Sequence, residues 1–276
     1  MSGGENLSRV ALAVARLNLD LSTREFIKKT DEVMQQLSPH VSAMILSPPI
    51  MPLYEALTGR RRYGSYRSNL KTLITRLLGI SRRRRMTLVL TPVLRRAGNK
   101  LYLGNVLLPS MGPPIFKGKN VIPVSERVSG SSNLEMITID NVNICFAILN
   151  DLDVPEVIRA YTYLGSDAVV AVSPPVISRR KPTMTLMVAA TRAKENRIPV
   201  IGLGGYAEEG SIQQPTFIVR KDGVIAEVAE GAEPDIFEVE IPSSGRRPKP
   251  ELAKKYIKLI KEHLVKDDEI VKQMML

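Results

Sequence analysis

Cysteine, histidine and tryptophan are nearly missing from this chain of 276 residues, which has one cysteine, two histidines and no tryptophan. The single cysteine, Cys145, excludes a disulfide framework within the chain and any site built from several cysteines. With only His40 and His263, a histidine-rich zinc or iron site within one chain is not expected. We therefore predict no metal and no other cofactor.

Long apolar runs are missing as well. No stretch approaches the ~20 apolar residues that span a bilayer, and the first six residues lack the basic and apolar regions of a secretory signal. We therefore expect a cytoplasmic protein without membrane association. The content of 44% hydrophobic and 24% charged residues is typical of a globular domain.

Short apolar runs alternate with segments of helical periodicity along most of the chain. Residues 10–17 and 43–46 are typical of buried strands, and between them Ser22 and Glu25 have the spacing of a capping box. A further helix is predicted over residues 70–78, ending at Gly79, and a hairpin around Asp222 and Gly223. The alternation predicts one α/β domain over residues 1–241, followed by a C-terminal linker and helical tail over residues 242–276.

Four blocks of the sequence resemble the nitrilase superfamily of carbon–nitrogen hydrolases. Residues 151–156 (Asp-Leu-Asp-Val-Pro-Glu), with Gly165 and Asp167 behind them, are similar to the family block in which a strand ends and Pro-Glu opens a helix. Residues 192–196 (Arg-Ala-Lys-Glu-Asn), the hairpin at 222–223 and the N-terminal strand, helix and strand complete the likeness, which covers residues 8–241. The resemblance implies an α-β-β-α sandwich that pairs into dimers.

The catalytic positions of that family are only partly filled here. The family's reaction uses a cysteine nucleophile, a glutamate base and a lysine that stabilises the oxyanion. The resemblance assigns the nucleophile's position to Leu149, two residues before Asp151, and the base's position to Pro49. Leucine offers no nucleophile and proline no carboxylate, so the family's reaction is not expected.

The lysine position is open between neighbouring residues. Lys119 lies about where the family's lysine opens a strand, but the spacing is about one residue short, so Lys117 and Gly118 compete for the assignment. Glu126 resembles a second glutamate that many members keep near the lysine. Lys119 and Glu126 are the two catalytic candidates, either paired in the pocket or both on the surface.

The single cysteine is a poor substitute for the missing nucleophile. Cys145 is predicted to lie on the same strand and the same face as Leu149, four residues away. At ~3.3 Å per residue the two are about 13 Å apart. A lone cysteine in an apolar strand is typical of a small core side chain.

Assembly and charge give the remaining expectations. A homodimer or higher homo-oligomer is predicted, with the helix over residues 155–164 at or near the interface, because its apolar positions exceed one core face. The net charge of +11 comes with arginine clusters at 60–62, 82–85, 95–96, 179–180 and 246–247. We expect these clusters to be dispersed, with no specific nucleic-acid partner. Convergence on one face would instead favour nucleic-acid binding.

Three functional hypotheses follow. The leading one is a catalytically silent nitrilase-like protein, either a scaffold or a binder of a small molecule in the old pocket. The second is an active amidase-type hydrolase with a pocket rearranged around Lys119, Glu126 and Asp151. The third is a basic protein associated with nucleic acid.

Overall fold

Two six-stranded sheets, each covered by helices, make up the computed structural model of this chain, which describes residues 9–125, 127–175, 181–207, 212–230 and 235–264. The first sheet has the strand order β14-β1-β2-β3-β4-β5 and the second β13-β12-β9-β8-β7-β6. The predicted α-β-β-α sandwich is thereby confirmed. Within the described ranges, no helix combines the length and the apolar character needed to cross a bilayer.

The first sheet is built from the N-terminal half of the chain and is covered by three helices. Strands β1 to β3 are parallel, and β4, β5 and β14 run antiparallel to their neighbours. The bounds are β1 (Arg9–Arg16), α1 (Thr23–Gln36), β2 (Ala43–Leu46), α2 (Ile50–Thr58), α3 (Tyr63–Arg84), β3 (Thr87–Ala97), β4 (Lys100–Leu108), β5 (Ile115–Lys117) and β14 (Asp235–Pro242).

The second sheet follows in the chain and has parallel strands β7 to β9 at its centre. The bounds are β6 (Ile137–Ile139), β7 (Val142–Ile148), α4 (Pro155–Tyr163), β8 (Ala168–Val172), α5 (Pro182–Asn196), β9 (Val200–Leu203), β12 (Thr216–Val219), β13 (Ile225–Ala229) and α6 (Pro250–Leu259). Strands β10 (Gly205–Ala207) and β11 (Ile212–Gln214) form a separate two-stranded ribbon.

Strand β7 shows how the core is divided between the sheets and the helices. Ile144, Phe146 and Ile148 belong to the large cluster between the two sheets. Cys145 and Ala147 belong to a second cluster that contains the buried faces of α4 and α5. Both sets are buried because a central parallel strand is covered on both faces.

Helix α3 differs from its prediction. It runs from Tyr63 to Arg84 and passes through Gly79, where the sequence predicts an end. Its buried stripe continues beyond that glycine to Ile80 and Ser81, and the Ser81 hydroxyl donates to the carbonyls of Met86 and Leu108. Packing of this stripe outweighs the cost of one interior glycine, which is about 1 kcal/mol.

The segment predicted as a tail is docked onto the second sheet's helices. Helix α6 packs on α4, with the ring of Tyr256 stacked 5.7 Å from that of Tyr163. Ala253 of α6 is buried, and so is Ile260 at the start of the π-helical turn Ile260–Leu264 that continues the helix. The same packing bears on the predicted dimer. Val157, Ile158 and Tyr161 of α4 are already buried within the chain, so surplus apolar surface no longer supports an interface there, and the dimer stays a prediction.

Candidate functional site

The end of β7 is a sharp elbow with a leucine at its tip. Leu149 has φ of 54° and opens a 3-10 turn, Leu149–Leu152. This left-handed conformation is unfavourable for a residue with a Cβ and is uncommon outside glycine and asparagine. The side chain is 5% exposed and lies in the cluster between the sheets. The elbow thus presents an apolar side chain where the resemblance places the nucleophile.

Asp151 ties the elbow to the segment that follows β5. Its carboxylate accepts the backbone N–H groups of Val121 at 2.9 Å, Ile122 at 2.7 Å and Ile148 at 3.1 Å. Burial raises the pKa of Asp151 to about 7, and the three N–H donors oppose this shift. Because the carboxylate accepts three backbone hydrogen bonds, which join the end of β7 to residues 121–122, we infer that Asp151 holds the elbow in place.

The pKa of Asp151 gives a pH-dependent stability. The folded value of about 7 lies above the unfolded value of about 4. Unfolding therefore releases a proton between these pH values, and this carboxyl's contribution to stability decreases as pH rises from about 4 to about 7. The slope is at most about 1.4 kcal/mol per pH unit.

We expect the difference in unfolding free energy between the wild type and Asp151→Asn to shrink across that window and to be constant above it. Chemical denaturation at several pH values measures this difference. A difference that grows as pH rises would contradict the raised pKa.

Pro49 occupies the base's position at the end of β2. It is buried and precedes α2, and the next residue, Ile50, donates its N–H to the carbonyl of Leu19 at 2.9 Å. Proline carries no titratable group, so this position supplies no general base.

Three buried polar side chains lie side by side across neighbouring strands of the first sheet. Ser47 follows β2, Thr91 follows Leu90 in β3, and Asn105 lies in β4 between the residues paired with Leu90 and Val93. Ser47 Oγ, Thr91 Oγ1 and Asn105 Oδ1 are buried without a hydrogen-bond partner. A buried unpaired group costs about 1–3 kcal/mol, so three adjacent ones, which we call the polar row, mark a place where polar ligand atoms are favoured.

The segment after β5 does not bring a lysine to this row. Gly118 (φ 77°) packs on Asn105, and a Cβ at position 118 would lie 2.6 Å from Asn105 Nδ2. The ammonium nitrogen of Lys119 lies 4.8 Å from the centre of the Tyr102 ring. Tyr102 and Asn105 are three residues apart on β4 and so point to opposite faces. Lys117 of β5 pairs with Asn105 along the backbone, and directly paired residues of antiparallel strands project to the same face, so Lys117 is the lysine on the Asn105 side of the sheet. Glu126 lies outside the described residues.

Cys145 is placed differently from its prediction. Its side chain lies in the cluster on the helix side of the sheet, whereas Leu149 lies between the sheets. The expectation of a shared face was wrong because the strand alternation ends at Ile148, where the elbow begins. Burial raises the pKa of the Cys145 thiol to about 12, which disfavours the thiolate needed for nucleophilic attack.

Amidase structures from Nesterenkonia sp. share this fold. The chain superposes on an amidase from Nesterenkonia sp. with a TM-score of 0.70 and 17% identity, covering 90% of this chain and 97% of that one. A variant of the amidase from Nesterenkonia sp. AN1, with the acetamide moiety of fluoroacetamide added at its active-site cysteine, gives 0.70 and 15% over 92% and 97%. A complex of that enzyme with butyramide gives 0.69 and 17% over 93% and 98%.

The fold of this chain is that of the nitrilase superfamily. At these identities the likeness establishes the fold and leaves the activity open. No protein-family model and no curated protein sequence matches the chain.

Proposed function

We propose that this chain is a nitrilase-fold protein that has lost C–N hydrolysis and uses its former pocket to bind a small polar molecule. The observation that carries the proposal is Leu149 in the left-handed position of the elbow. A strained backbone normally persists because the surrounding structure imposes it. Here the elbow is kept while its tip carries no reactive atom.

The absence of a base supports the same proposal. Pro49 has no carboxylate, and Cys145, the single cysteine, is buried on the other side of the sheet with a raised pKa. An attacking thiolate needs both an exposed sulfur and a group that takes its proton. Neither requirement is met at Cys145.

The polar row supports a binding role. The Asn105 carbonyl oxygen and the Ser47 and Thr91 hydroxyls are buried and unpaired, and such groups bind ligands that supply matching donors and acceptors. A carboxamide offers both kinds of group on one planar unit. We therefore propose carboxamides or similarly small polar molecules as ligands.

An active amidase is the alternative, and two observations favour it. Amidase structures from Nesterenkonia sp. share this fold, one of them with an adduct at its active-site cysteine, and this chain does contain a cysteine. In that case Cys145, or a pocket rearranged around Lys119, would carry the reaction.

Ammonia release from butyramide and acrylamide separates the two functions. The proposal predicts no release above that of a protein-free blank. Release that is lost in Cys145→Ser would establish the amidase reading with Cys145 as nucleophile. Release that survives in Cys145→Ser and is lost in Lys119→Gln would establish the rearranged pocket.

Calorimetric titration with the same amides tests the binding role. We expect saturable binding that becomes at least about tenfold weaker in Asn105→Leu, because one buried hydrogen bond is lost. Asn133→Leu, on an exposed asparagine, is the matched control and should bind as the wild type does. Injection heats that do not saturate would show that the protein does not bind these amides and would contradict the proposal.

A further inference from the structure

All of the positive net charge of this protein lies in one contiguous segment. Residues 56–125 contain 15 of the 39 basic residues and none of the 28 acidic ones. The rest of the chain therefore has 24 basic and 28 acidic residues, a net charge of −4. An uneven distribution of this size creates a directed electrostatic field for an anionic partner.

The structure gathers this segment into one layer of the molecule. It forms α3 and the strands β3, β4 and β5, which are consecutive at one edge of the first sheet, and α3 packs on β3 and β4. Three of the five arginine clusters belong to this segment, but 60–62 and 82–85 lie at opposite ends of α3, about 33 Å apart, and only Arg95 and Arg96 of the third line the groove described next. Residues 179–180 lie outside the described part, and Arg246 donates to the carbonyls of Asn196 and Arg197 near the end of α5.

A groove of about 880 Å³ lies in this layer, between α3, the β3–β4 hairpin and β5. Four basic side chains line it, Arg67, Lys71, Arg95 and Arg96, and no acidic side chain does. Ion pairs with carboxylates are found elsewhere in the layer, as at Arg61 and Arg84, but none in the described ranges reaches these four. The floor is apolar and consists of buried residues, Leu70, Ile74 and Leu94.

Aromatic rings lie directly beside the arginines of this groove. The guanidinium carbon of Arg95 is 5.1 Å from the centre of the Phe116 ring, and that of Arg96 is 5.0 Å from the centre of the Tyr63 ring. Both rings line the groove, and Phe116 is 43% exposed. A guanidinium held on a ring presents its second face to a planar ligand and its N–H groups to an anion.

We propose that this groove binds single-stranded nucleic acid without sequence preference. Cationic walls contact phosphates, while an apolar floor and stacked arginine–aromatic pairs contact bases, which is the combination that single strands require. An acidic peptide would use the cations but not the stacked pairs. A membrane surface would contact a convex basic face, whereas these residues line a concave one. Duplexes carry their bases inside and cannot use the floor.

Fluorescence anisotropy with a labelled single strand of about 20 nucleotides tests the proposal. With about four phosphate contacts, the slope of log K against log salt should be about −3 for the wild type. Arg95→Gln/Arg96→Gln should weaken binding about tenfold or more and reduce the slope by about 1.4, the share of two contacts. Lys255→Gln/Lys261→Gln, which changes the net charge equally at exposed sites near the C terminus, should leave the slope unchanged.

Arg67→Gln/Lys71→Gln provides an independent pair on the exposed side of α3, should the hairpin variant fail to fold. It should reproduce the weakened binding and the reduced slope. If the groove variants and the control variant lose equal amounts of affinity, the oligonucleotide is attracted by the net charge alone, and the proposed site is wrong. Duplex of equal length binding as tightly as the single strand would also overturn it. So would polyglutamate or phosphatidylserine vesicles binding through the same four residues in preference to the oligonucleotide.

Discussion

Replacing Asp151 by alanine is expected to lower the free energy of unfolding by about 3 kcal/mol or more. The change leaves three buried N–H groups, those of Val121, Ile122 and Ile148, without an acceptor. Each unpaired group costs about 1–3 kcal/mol. Urea denaturation monitored by circular dichroism measures the loss.

Two further variants make this expectation specific. Asp151→Asn can keep its oxygen at the Oδ1 position, which serves Val121 and Ile122, and loses only the bond from Ile148, so we expect a smaller loss than for alanine. Asp222→Ala removes a carboxylate whose partners lie on an exposed hairpin and should cost less than about 1 kcal/mol. Equal losses for Asp151→Ala and Asp222→Ala would contradict a positioning role for Asp151.

Removing residues 243–276 should also destabilise the protein strongly. The truncated chain lacks α6 and the π-helical turn Ile260–Leu264 that continues it; Ile260 is 1% exposed and packs in the cluster that contains α4. It also loses the bonds from Ser244 to the carboxylate of Asp167. We expect a lower unfolding midpoint and an apolar α4 surface that binds a hydrophobic dye.

Single substitutions separate docking of α6 from the effects of truncation. Ile260→Ala should cost about 2–5 kcal/mol, as large-to-small changes in a core do. Leu252→Ala, on the same helix and 41% exposed, should cost less than about 1 kcal/mol. If both variants are as stable as the wild type, α6 is not part of the core in solution.

Local signals in the sequence were sufficient to predict much of the fold. The capping box at Ser22 and Glu25 is present at the start of α1, and the hairpin at Asp222 and Gly223 joins β12 to β13. These features depend on a few neighbouring residues. The full extent of α3 was not predictable in the same way, since its passage through Gly79 depends on packing against distant strands.

The candidate site was harder to predict from the sequence, because it too depends on contacts between distant parts of the chain. The resemblance assigns Leu149 and Pro49 to the positions of the nucleophile and the base from their sequence spacing to Asp151 and Pro48, and this assignment stays a prediction. The lysine could not be assigned, because Gly118 faces Asn105 while Lys119 turns to the Tyr102 ring, and a pattern of residue types does not specify such directions.

The groove was missed because its pairs are remote along the chain. Arg95 and Phe116 are separated by 20 intervening residues, and Arg96 and Tyr63 by 32. Aromatic and basic residues do not alternate in the sequence, and only the packing of α3 against the β3–β4 hairpin brings them together. The acid-free segment at 56–125 was the signal that could have pointed to this layer.

Labelling with fluoroacetamide, followed by mass spectrometry of tryptic peptides, tests the proposed loss of the nucleophile most directly. A reactive thiolate would displace fluoride and retain the acetamide moiety, as the cysteine of the Nesterenkonia amidase variants does. Wild-type protein unfolded in urea and treated with iodoacetamide, which reaches Cys145 once its burial is lost, serves as the positive control for detection and should be labelled at Cys145. The account predicts no adduct on Cys145 of the folded wild type, and stoichiometric labelling of Cys145 would contradict it.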